Sequence, residues 1–184
     1  MVMPFPTKKY DVIHIDPPWY IKFLSKKVRP NQKDMPYGTM TFDDIKNLPI
    51  QSISKESCFM FLWTTHKWLP KSFELLESWD FNYNCMITWD KGCGFTPMGF
   101  MWSTEFCLFG IKKGNKKQLK KLGEKTLIKE KSREHSRKPE AIFNLIDKVT
   151  EGDKIDLFGR RNRHGWDVWG NDEKLEAQPL ESFF

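Results

Sequence analysis

Five short runs of apolar, β-branched and aromatic residues recur along the chain and predict β-strands. These runs lie at residues 11–16, 58–64, 82–90, 104–112 and 154–158. Several of them are apolar almost throughout, whereas a strand with one solvated face alternates apolar and polar residues. The pattern therefore predicts strands that are covered on both faces of a sheet.

Three segments with apolar residues at helical spacing lie between these runs and predict helices. The first begins at the capping-box-like sequence Thr41-Phe42-Asp43-Asp44 and extends to about residue 47. The second covers residues 70–79, and the third, 139–150, begins with a proline in its first turn. Strands that alternate with helices indicate an α/β fold with a largely parallel sheet. We expect residues 1–184 to form a single domain.

A segment at about residues 112–138, which we call the basic segment, carries much of the positive charge of the chain. It holds twelve Lys or Arg and three Glu, whereas the net charge of the whole chain is only +6. Within it, residues 114–134 are polar with weak periodicity, which predicts a mobile loop or a poorly ordered helix. The lysines form either a solvated surface or a site of attraction for a phosphate backbone.

The turn Asp16-Pro17-Pro18-Trp19 stands at the carboxyl end of the first predicted strand, where parallel α/β sheets bind ligands. Two prolines lock the backbone and remove two N–H donors, so carbonyl acceptors remain beside a carboxylate. These acceptors suit a planar ligand with an exocyclic amino group. Asp16 and the Pro17 carbonyl can accept its two hydrogens, while Trp19 or Tyr20 stacks on the ring. The alternative is a turn that merely ends the strand and packs Trp19 in the core.

The composition excludes several classes of protein. No apolar run approaches the roughly 20 residues that cross a bilayer, and residues 1–7 lack the features of a secretory signal. The four cysteines form no C-x-x-C and the histidines have no ligand spacing, so neither a disulfide framework nor a metal site is predicted. We expect buried, reduced thiols and a cytoplasmic protein. The many Trp and Phe residues leave aromatic rings for stacking on flat ligands.

The turn D-P-P-W at a strand end resembles the signature of amino-group methyltransferases, which is Asp/Asn/Ser-Pro-Pro-aromatic. Further segments follow in the order typical of the MT-A type. This is the family of the catalytic subunit of the eukaryotic messenger-RNA adenosine methyltransferase and its bacterial and phage relatives. The segments are MPYGTMTFDDIKNLPI, FLWTT, STEFCLFGIKKG, SREHSRKPEAI, KIDLFGRR and GWDVWGND. Together they cover most of Tyr10 to Asp172, and this register is far more specific than one tetrapeptide.

The resemblance implies a Rossmann-like methyltransferase fold in permuted order, with helices on both faces, the catalytic strand first and the cofactor strand near the C-terminus. It implies methyl transfer from S-adenosyl-L-methionine to N6 of adenine, with S-adenosylhomocysteine as product and no metal. The catalytic positions are Asp16, Pro17, Pro18 and Trp19. Hydrogen bonds from N6 to Asp16 and the Pro17 carbonyl would favour a pyramidal, more nucleophilic nitrogen. The methyl group of the cofactor then needs only to be positioned in line with this nitrogen for transfer.

The resemblance also assigns binding residues. Lys138 in SRKPE matches a lysine that pairs with the methionyl carboxylate, and Asp16 also contacts the methionyl amine. The other cofactor positions are Phe158, Arg160, Asn162 and Asn171. Tyr37 is a substrate position, because it resembles a residue of the loop that borders the adenine pocket. Tyr20 is the second substrate position, as one of the two rings that can stack on the base. Without the register of the family segments, Phe158 is as typical of a core residue as of a cofactor contact. Arg160 and Lys138 alone are typical of a solvated surface, and Tyr37 alone is typical of a turn.

The substrate implied by the resemblance is nucleic acid. DNA is preferred over RNA because the compact chain resembles the bacterial and phage branch; RNA is the close alternative. The basic segment counts against a protein or small-molecule substrate, and the intact D-P-P-W counts against a non-catalytic nucleic-acid-binding subunit. A paired adenine must be flipped out to react. We expect no added recognition domain, so residues 20–36, residues 114–138 or a partner must select the target sequence. We expect a monomer or homodimer without membrane association.

Overall fold

The computed structural model describes residues 4–20, 39–96, 99–132 and 137–170. Within these residues the strands form one sheet, and the helices pack on it. The strands are β1 (Tyr10–Ile15), β2 (Ser54–Thr64), β3 (Phe81–Phe95), β4 (Trp102–Lys112), β5 (Leu127–Lys129), β6 (Lys154–Leu157) and β7 (Trp166–Trp169). The helices are α1 (Phe42–Lys46), α2 (Ile50–Ile53), α3 (Leu69–Ser78) and α4 (Glu140–Val149).

The strand order is β5-β3-β4-β2-β1-β6-β7. β1 pairs in parallel with β2 on one side and with β6 on the other. β4 is antiparallel to both of its neighbours, β2 and β3, so the other strands of the sheet share one direction. The carboxyl ends of β1, β2, β3, β5 and β6 therefore lie along one edge of the sheet, which we call the carboxyl edge. The opposite edge is the amino edge.

The alternation of side chains divides the core between the two faces of the sheet. Ile13 and Ile15 of β1 pack with buried residues of α1, α2 and α3 on one face. Val12 packs on the other face with Ile142 and Ile146 of α4. All six residues of β1 are buried, because neighbouring strands cover its edges and helices cover its faces. Helices on both faces of a mostly parallel sheet confirm the predicted α/β fold, in the permuted order expected.

The apolar runs predicted β1, β2, β3, β4 and β6, and the helical patterns predicted α1, α3 and α4. The predicted capping box is present, since Thr41 Oγ1 accepts a hydrogen bond from Asp44 N and the Asp44 carboxylate accepts one from Thr41 N. The short elements β5, β7 and α2 were not predicted. β5 has three residues and α2 has four, which is too little sequence to establish a period.

The basic segment contacts the sheet in two places. Its first part follows the amino edge: Lys117 Nζ lies 3.0 Å from Oδ1 of Asp11, and the Lys120 amide donates to the Val149 carbonyl. Its later part forms β5, which pairs in parallel with β3. Most of the described part of 114–134 is irregular, in agreement with the predicted loop, and the three residues of β5 are the part that was not predicted.

The cysteines are all free thiols, and their burial differs from the expectation in part. Cys58 and Cys107 are buried as predicted, whereas Cys85 is half-buried and Cys93 is exposed near the end of β3. Among the residues described, no helix has the length and apolar character needed to cross a membrane.

Candidate active site

The D-P-P-W turn lies where the connections of the sheet diverge. β1 continues towards β2 on one side, whereas β6, its neighbour on the other side, continues towards β7. The carboxyl ends of such strands enclose a crevice, which is the usual ligand position in open α/β sheets. Asp16 enters this crevice directly after β1, and its amide donates to the Leu157 carbonyl of β6 at 3.4 Å.

Backbone hydrogen bonds hold the turn in one conformation. The Pro17 carbonyl accepts from the Trp19 amide at 2.8 Å, and the Pro18 carbonyl accepts from the Met40 amide at 2.9 Å. A carbonyl oxygen has two lone pairs, so each of these acceptors can take a second hydrogen bond. The prolines therefore end the strand and also fix a row of acceptors beside Asp16.

The two aromatic residues of the turn lie in different environments. The Trp19 ring is only 5% exposed. It stacks on Trp68 with 5.3 Å between ring centroids, and its Nε1 donates to the Trp63 carbonyl at 3.2 Å. Tyr20, in contrast, is 50% exposed. The core position that was the alternative for Trp19 is the observed one, and Tyr20 is the ring of this turn that a ligand can reach.

A chain of charged side chains surrounds Asp16. Lys138 Nζ lies 3.0 Å from Asp16 Oδ1 and 3.0 Å from Glu105 Oε2. Lys91 Nζ lies 3.0 Å from the other oxygen of the Glu105 carboxylate, Oε1. The side chains of Lys138, Lys91 and Glu105 are at most 20% exposed, and that of Asp16 is 26% exposed. Two carboxylates and two ammonium groups therefore neutralise one another in a largely dry environment.

Strand periodicity explains why these groups meet. Side chains two residues apart in a strand share a face, so Glu105 points to the same face as the buried Cys107 and Phe109 of β4. Asp16 follows His14 in the same way, and helix α4 covers that face. The carboxylate of Glu130 accepts from the first amides of α4, Glu140 N and Ala141 N, and so holds the segment that carries Lys138.

The neighbouring charges shift the pKa values of the two carboxylates in opposite directions. Burial raises the pKa of Asp16, and the nearby Glu105 carboxylate raises it further, whereas Lys138 opposes both effects. Burial also acts to raise the pKa of Glu105, but the ammonium groups of Lys138 and Lys91 outweigh it and lower that pKa. The pKa of Lys138 is raised, because its two carboxylate partners outweigh the effect of burial.

A second set of hydrogen bonds lies beneath this network. Trp63 Nε1 donates to His14 Nε2 at 2.7 Å, and His14 Nδ1 lies 2.7 Å from Asp156 Oδ1. An indole N–H can only donate, so His14 Nε2 accepts and its Nδ1 carries the proton that reaches Asp156. The Trp63 ring in turn lies 5.1 Å from the Lys138 ammonium. The set connects β1, β2 and β6 below the crevice.

Three of the predicted cofactor positions, Phe158, Arg160 and Asn162, follow β6, the strand whose Leu157 carbonyl accepts from the Asp16 amide. Phe158 has a φ of 64°, a left-handed conformation that ends β6, and its ring is half-buried against Trp169. A Cβ atom at Gly159 would lie 2.5 Å from Asp156 Oδ2, so glycine is required there for the backbone to approach Asp156. Arg160 and Asn162 follow on the exposed surface. These residues fit an adenosyl ligand, because they offer an apolar ring, a close backbone and polar side chains along one crevice.

Two predicted positions, Tyr37 and Asn171, lie outside the described residues. The structure adds Glu105, Lys91 and His14 to the site, none of which the motifs singled out. The available signal was periodicity, since Glu105 and His14 are polar residues at inward positions of nearly apolar strands. No group of three or more His, Cys, Asp or Glu side chains suited to a metal ion occurs in the described ranges.

Comparisons with known proteins agree with the six segments. A family model described as MT-A70 matches residues 10–172. The chain is 33% identical to "Type II methyltransferase M.MunI" of Mycoplasma sp over 192 residues, which cover 93% of the chain and 82% of that protein. It is 30% identical to "N(6)-adenosine-methyltransferase catalytic subunit METTL3" of Homo sapiens, covering 89% of the chain and 28% of that protein. It is 27% identical to "N(6)-adenine-specific methyltransferase METTL4" of Homo sapiens, covering 96% of the chain and 40% of that protein. The chain thus spans less than half of these two human relatives.

Proposed function

The chain belongs to the MT-A70 family, and from this membership we propose that it transfers a methyl group from S-adenosyl-L-methionine to N6 of adenine in DNA. The observation that carries the proposal is the position of Asp16, a carboxylate fixed in the crevice between β1 and β6 beside carbonyl acceptors. The names of the relatives support N6 of adenine as the methylated atom, since METTL3 and METTL4 are named for N6-adenosine and N6-adenine.

In this proposal Asp16 and the Pro17 carbonyl accept the two N6 hydrogens. Oδ1 of Asp16 is held by Lys138, so the acceptor for the amine is Oδ2, and the Pro17 carbonyl contributes its second lone pair. Two acceptors draw the lone pair of N6 out of conjugation with the ring and fix its direction. Such orientation is worth several kcal/mol of the reaction barrier. Trp19 and Pro18 act by holding this turn in place.

S-adenosyl-L-methionine supplies an activated methyl group on a positively charged sulfur. Phe158 is proposed to contact its adenosyl part, while Arg160, Asn162 and Asn171 bind near its ribose. Lys138 carries three N–H donors, two of which face Asp16 and Glu105, so the third is proposed to bind the methionyl carboxylate. Asp16 is also proposed to contact the methionyl amine.

The target base is proposed to stack on Tyr20, with Tyr37 bordering the pocket. The exposure of Tyr20 and the burial of Trp19 support this division of roles, which the sequence left open. Exposed lysines at the carboxyl edge, among them Lys67, Lys129 and Lys131, are suited to contact phosphates next to the base. The first lysines of the basic segment lie at the amino edge, away from Asp16, so they are not proposed as the phosphate contacts.

DNA is proposed rather than RNA because the chain matches a bacterial relative over most of the length of both proteins. RNA is the second candidate, favoured by the similarity to METTL3, which is named for adenosine. We further propose that residues 1–184 act as a single domain in the cytoplasm, as a monomer or a homodimer.

The test is incubation of the protein with methyl-labelled S-adenosylmethionine and, separately, DNA, RNA and cell protein, followed by digestion and chromatography. We expect labelled N6-methyladenine from the DNA. Label in RNA alone would replace DNA by the second candidate. Label in protein, or cofactor binding without any transfer, would overturn the proposal in favour of another substrate class or a binding subunit.

A further inference from the structure

The connection between β3 and β4 carries the most exposed large hydrophobic side chain among the described residues. Phe100 is 83% exposed, and its neighbour Met101 is 56% exposed. Both lie just before β4, at the tip of the hairpin that the two strands form. Water contact on two adjacent large apolar side chains is unfavourable, and such exposure is typical of a surface that contacts another molecule.

The hairpin projects from the same edge of the sheet as Asp16. β3 runs in the same direction as β1, so its end and the start of β4 lie at the carboxyl edge. The pair of Lys91 on β3 and Glu105 on β4 spans the base of the hairpin, and Glu105 also pairs with Lys138, the partner of Asp16. The tip is therefore held in a defined position relative to the catalytic carboxylate.

Packing at the base stiffens the hairpin. Trp102 stacks on His66 with 5.0 Å between ring centroids, and His66 Nε2 lies 3.0 Å from Thr104 Oγ1. The two strands approach so closely at Gly94 that a Cβ atom there would collide with the Trp102 carbonyl. At the turn itself, Gly99 has a φ of 92°, a conformation that a side chain disfavours.

The charges on this edge favour a polyanion as the partner. Residues 91–104 contain no Asp or Glu, and Lys91 is their only charged residue. Exposed Lys67 follows β2, and exposed Lys129 and Lys131 lie at the end of β5, so cations are available on the same edge. An apolar tip between cations is suited to a duplex, whose phosphates are negative and whose base stack is apolar.

We propose that Phe100, supported by Met101, inserts into the base stack at the position that the target adenine leaves. The inference rests on the proposed function, because a paired adenine reaches Asp16 only after it is flipped out and leaves a gap. Met101 lies four positions before Glu105, which corresponds to about 13 Å of extended chain. This exceeds the depth of either groove of B-DNA, which is about 7.5–8.5 Å. Apolar side chains that enter a base step in this way are known from proteins that kink DNA.

The binding experiment uses the full chain and two fluorescein-labelled duplexes of equal sequence, one intact and one with a central abasic site. The abasic site reproduces the vacated position and needs neither methyl transfer nor knowledge of the target. We expect the wild type to bind the abasic duplex about tenfold more tightly, because the gap is already open. The double variant Phe100→Ala/Met101→Ala should bind both duplexes equally. Leu122→Ala, at a side chain that is 75% exposed outside the hairpin, should retain the wild-type preference.

Methyl transfer provides the second readout. The double variant should lose about tenfold or more in kcat/KM on duplex DNA and retain activity on single-stranded DNA, where no stack must be opened. Equal binding of both duplexes by the wild type, or an unchanged preference in the double variant, would overturn the insertion. So would a change of sedimentation in the double variant with the preference retained, which would identify the tip as a contact between copies. If the wild type shows the preference but methylates no substrate, the proposed function fails while the insertion stands.

Discussion

Lys138 Nζ and Asp16 Oδ1 are 3.0 Å apart, although the two residues lie in distant segments of the chain, one after β1 and the other before α4. The same ammonium binds Glu105, so one cation orients two carboxylates. Charges with so little exposure are stable only when they are paired, and removal of one partner from a buried pair costs about 3–5 kcal/mol. Partial exposure of Asp16 reduces that cost, so the orientation of its carboxylate is the more important consequence.

Asp16→Ala should reduce methyl transfer at least about hundredfold, because the acceptor that orients N6 is removed. The fold should persist, since Asp16 is at the end of β1 and its side chain is 26% exposed. Turnover with labelled cofactor and thermal unfolding by circular dichroism measure the two effects. Asp43→Ala, an exposed carboxylate in the first turn of α1, is the matched control and should leave turnover unchanged. Full activity of Asp16→Ala would eliminate the proposed role.

Glu105→Gln should destabilise the protein by about 1–3 kcal/mol, because Lys91 loses its charged partner and Lys138 keeps only one. Turnover should also fall, since the Glu105 carboxylate no longer fixes the position of Lys138 and, through it, that of Asp16. Urea unfolding and turnover at saturating cofactor are the measurements. Glu74→Gln removes an exposed carboxylate paired with Lys46 and should change neither quantity. Unchanged stability of Glu105→Gln would indicate that the network is not formed in solution.

The rate should depend on pH through Asp16. Its carboxylate must be ionised to accept the amine, and its pKa is raised from 3.8. Activity is therefore complete above that raised pKa and is lost as the pH falls through it, at a higher pH than for an ordinary Asp. The contribution of Asp16 to the stability of the fold depends on pH in the opposite direction. It is present at low pH and is lost as the pH rises through the raised pKa, because the folded state binds the proton more tightly than the unfolded state. Glu105, whose pKa is lowered from 4.5, stabilises the fold above its unfolded pKa and loses this contribution at lower pH.

Glu105→Gln provides the test of this pH dependence. It removes the like charge that raises the pKa of Asp16, so the midpoint of the pH–rate profile should move to lower pH. The profile is measured over the range in which circular dichroism shows the fold intact. A midpoint that moves upward in Glu105→Gln, or one that Glu74→Gln moves equally, contradicts the assignment to Asp16.

Trp19 and Tyr20 should respond differently to truncation. Trp19→Ala should cost about 3–5 kcal/mol of stability, because a buried ring and its stack on Trp68 are lost. Tyr20→Ala should leave stability unchanged and weaken nucleic-acid binding by about 1–3 kcal/mol, the value of one base stacked on an aromatic ring. Unfolding curves and fluorescence anisotropy separate the two effects. Unaltered binding by Tyr20→Ala would assign base stacking to another residue.

The salt dependence of DNA binding should identify the edge that contacts phosphates. Each phosphate contact contributes about 0.9 to the slope of log K against log salt, so Lys129→Gln/Lys131→Gln should reduce the slope by up to about 1.8. Lys116→Gln/Lys120→Gln removes the same charge from the stretch that follows the amino edge and should leave the slope unchanged. The reverse result would show that the first lysines of the basic segment, at the amino edge, contact the phosphates.

The sequence predicted those features that depend on neighbouring residues. Strands β1, β2, β3, β4 and β6, helices α1, α3 and α4 and the capping box at Thr41 all follow from local periodicity and local hydrogen bonding. The D-P-P-W turn predicted a carboxylate beside fixed carbonyls, because proline acts on its own backbone wherever it occurs. The order of the six segments predicted the family, which the match over residues 10–172 confirms.

Tertiary structure alone decided which distant residues meet. Whether Trp19 or Tyr20 is accessible depends on Trp68 and Trp63, which lie more than forty positions away in sequence. Glu105 joins the site because β4 is antiparallel to its neighbours. The first lysines of the basic segment lie at the amino edge, whereas its last residue, Lys138, lies beside Asp16. Burial and Coulomb forces depend on distance in space, whereas the sequence records only distance along the chain.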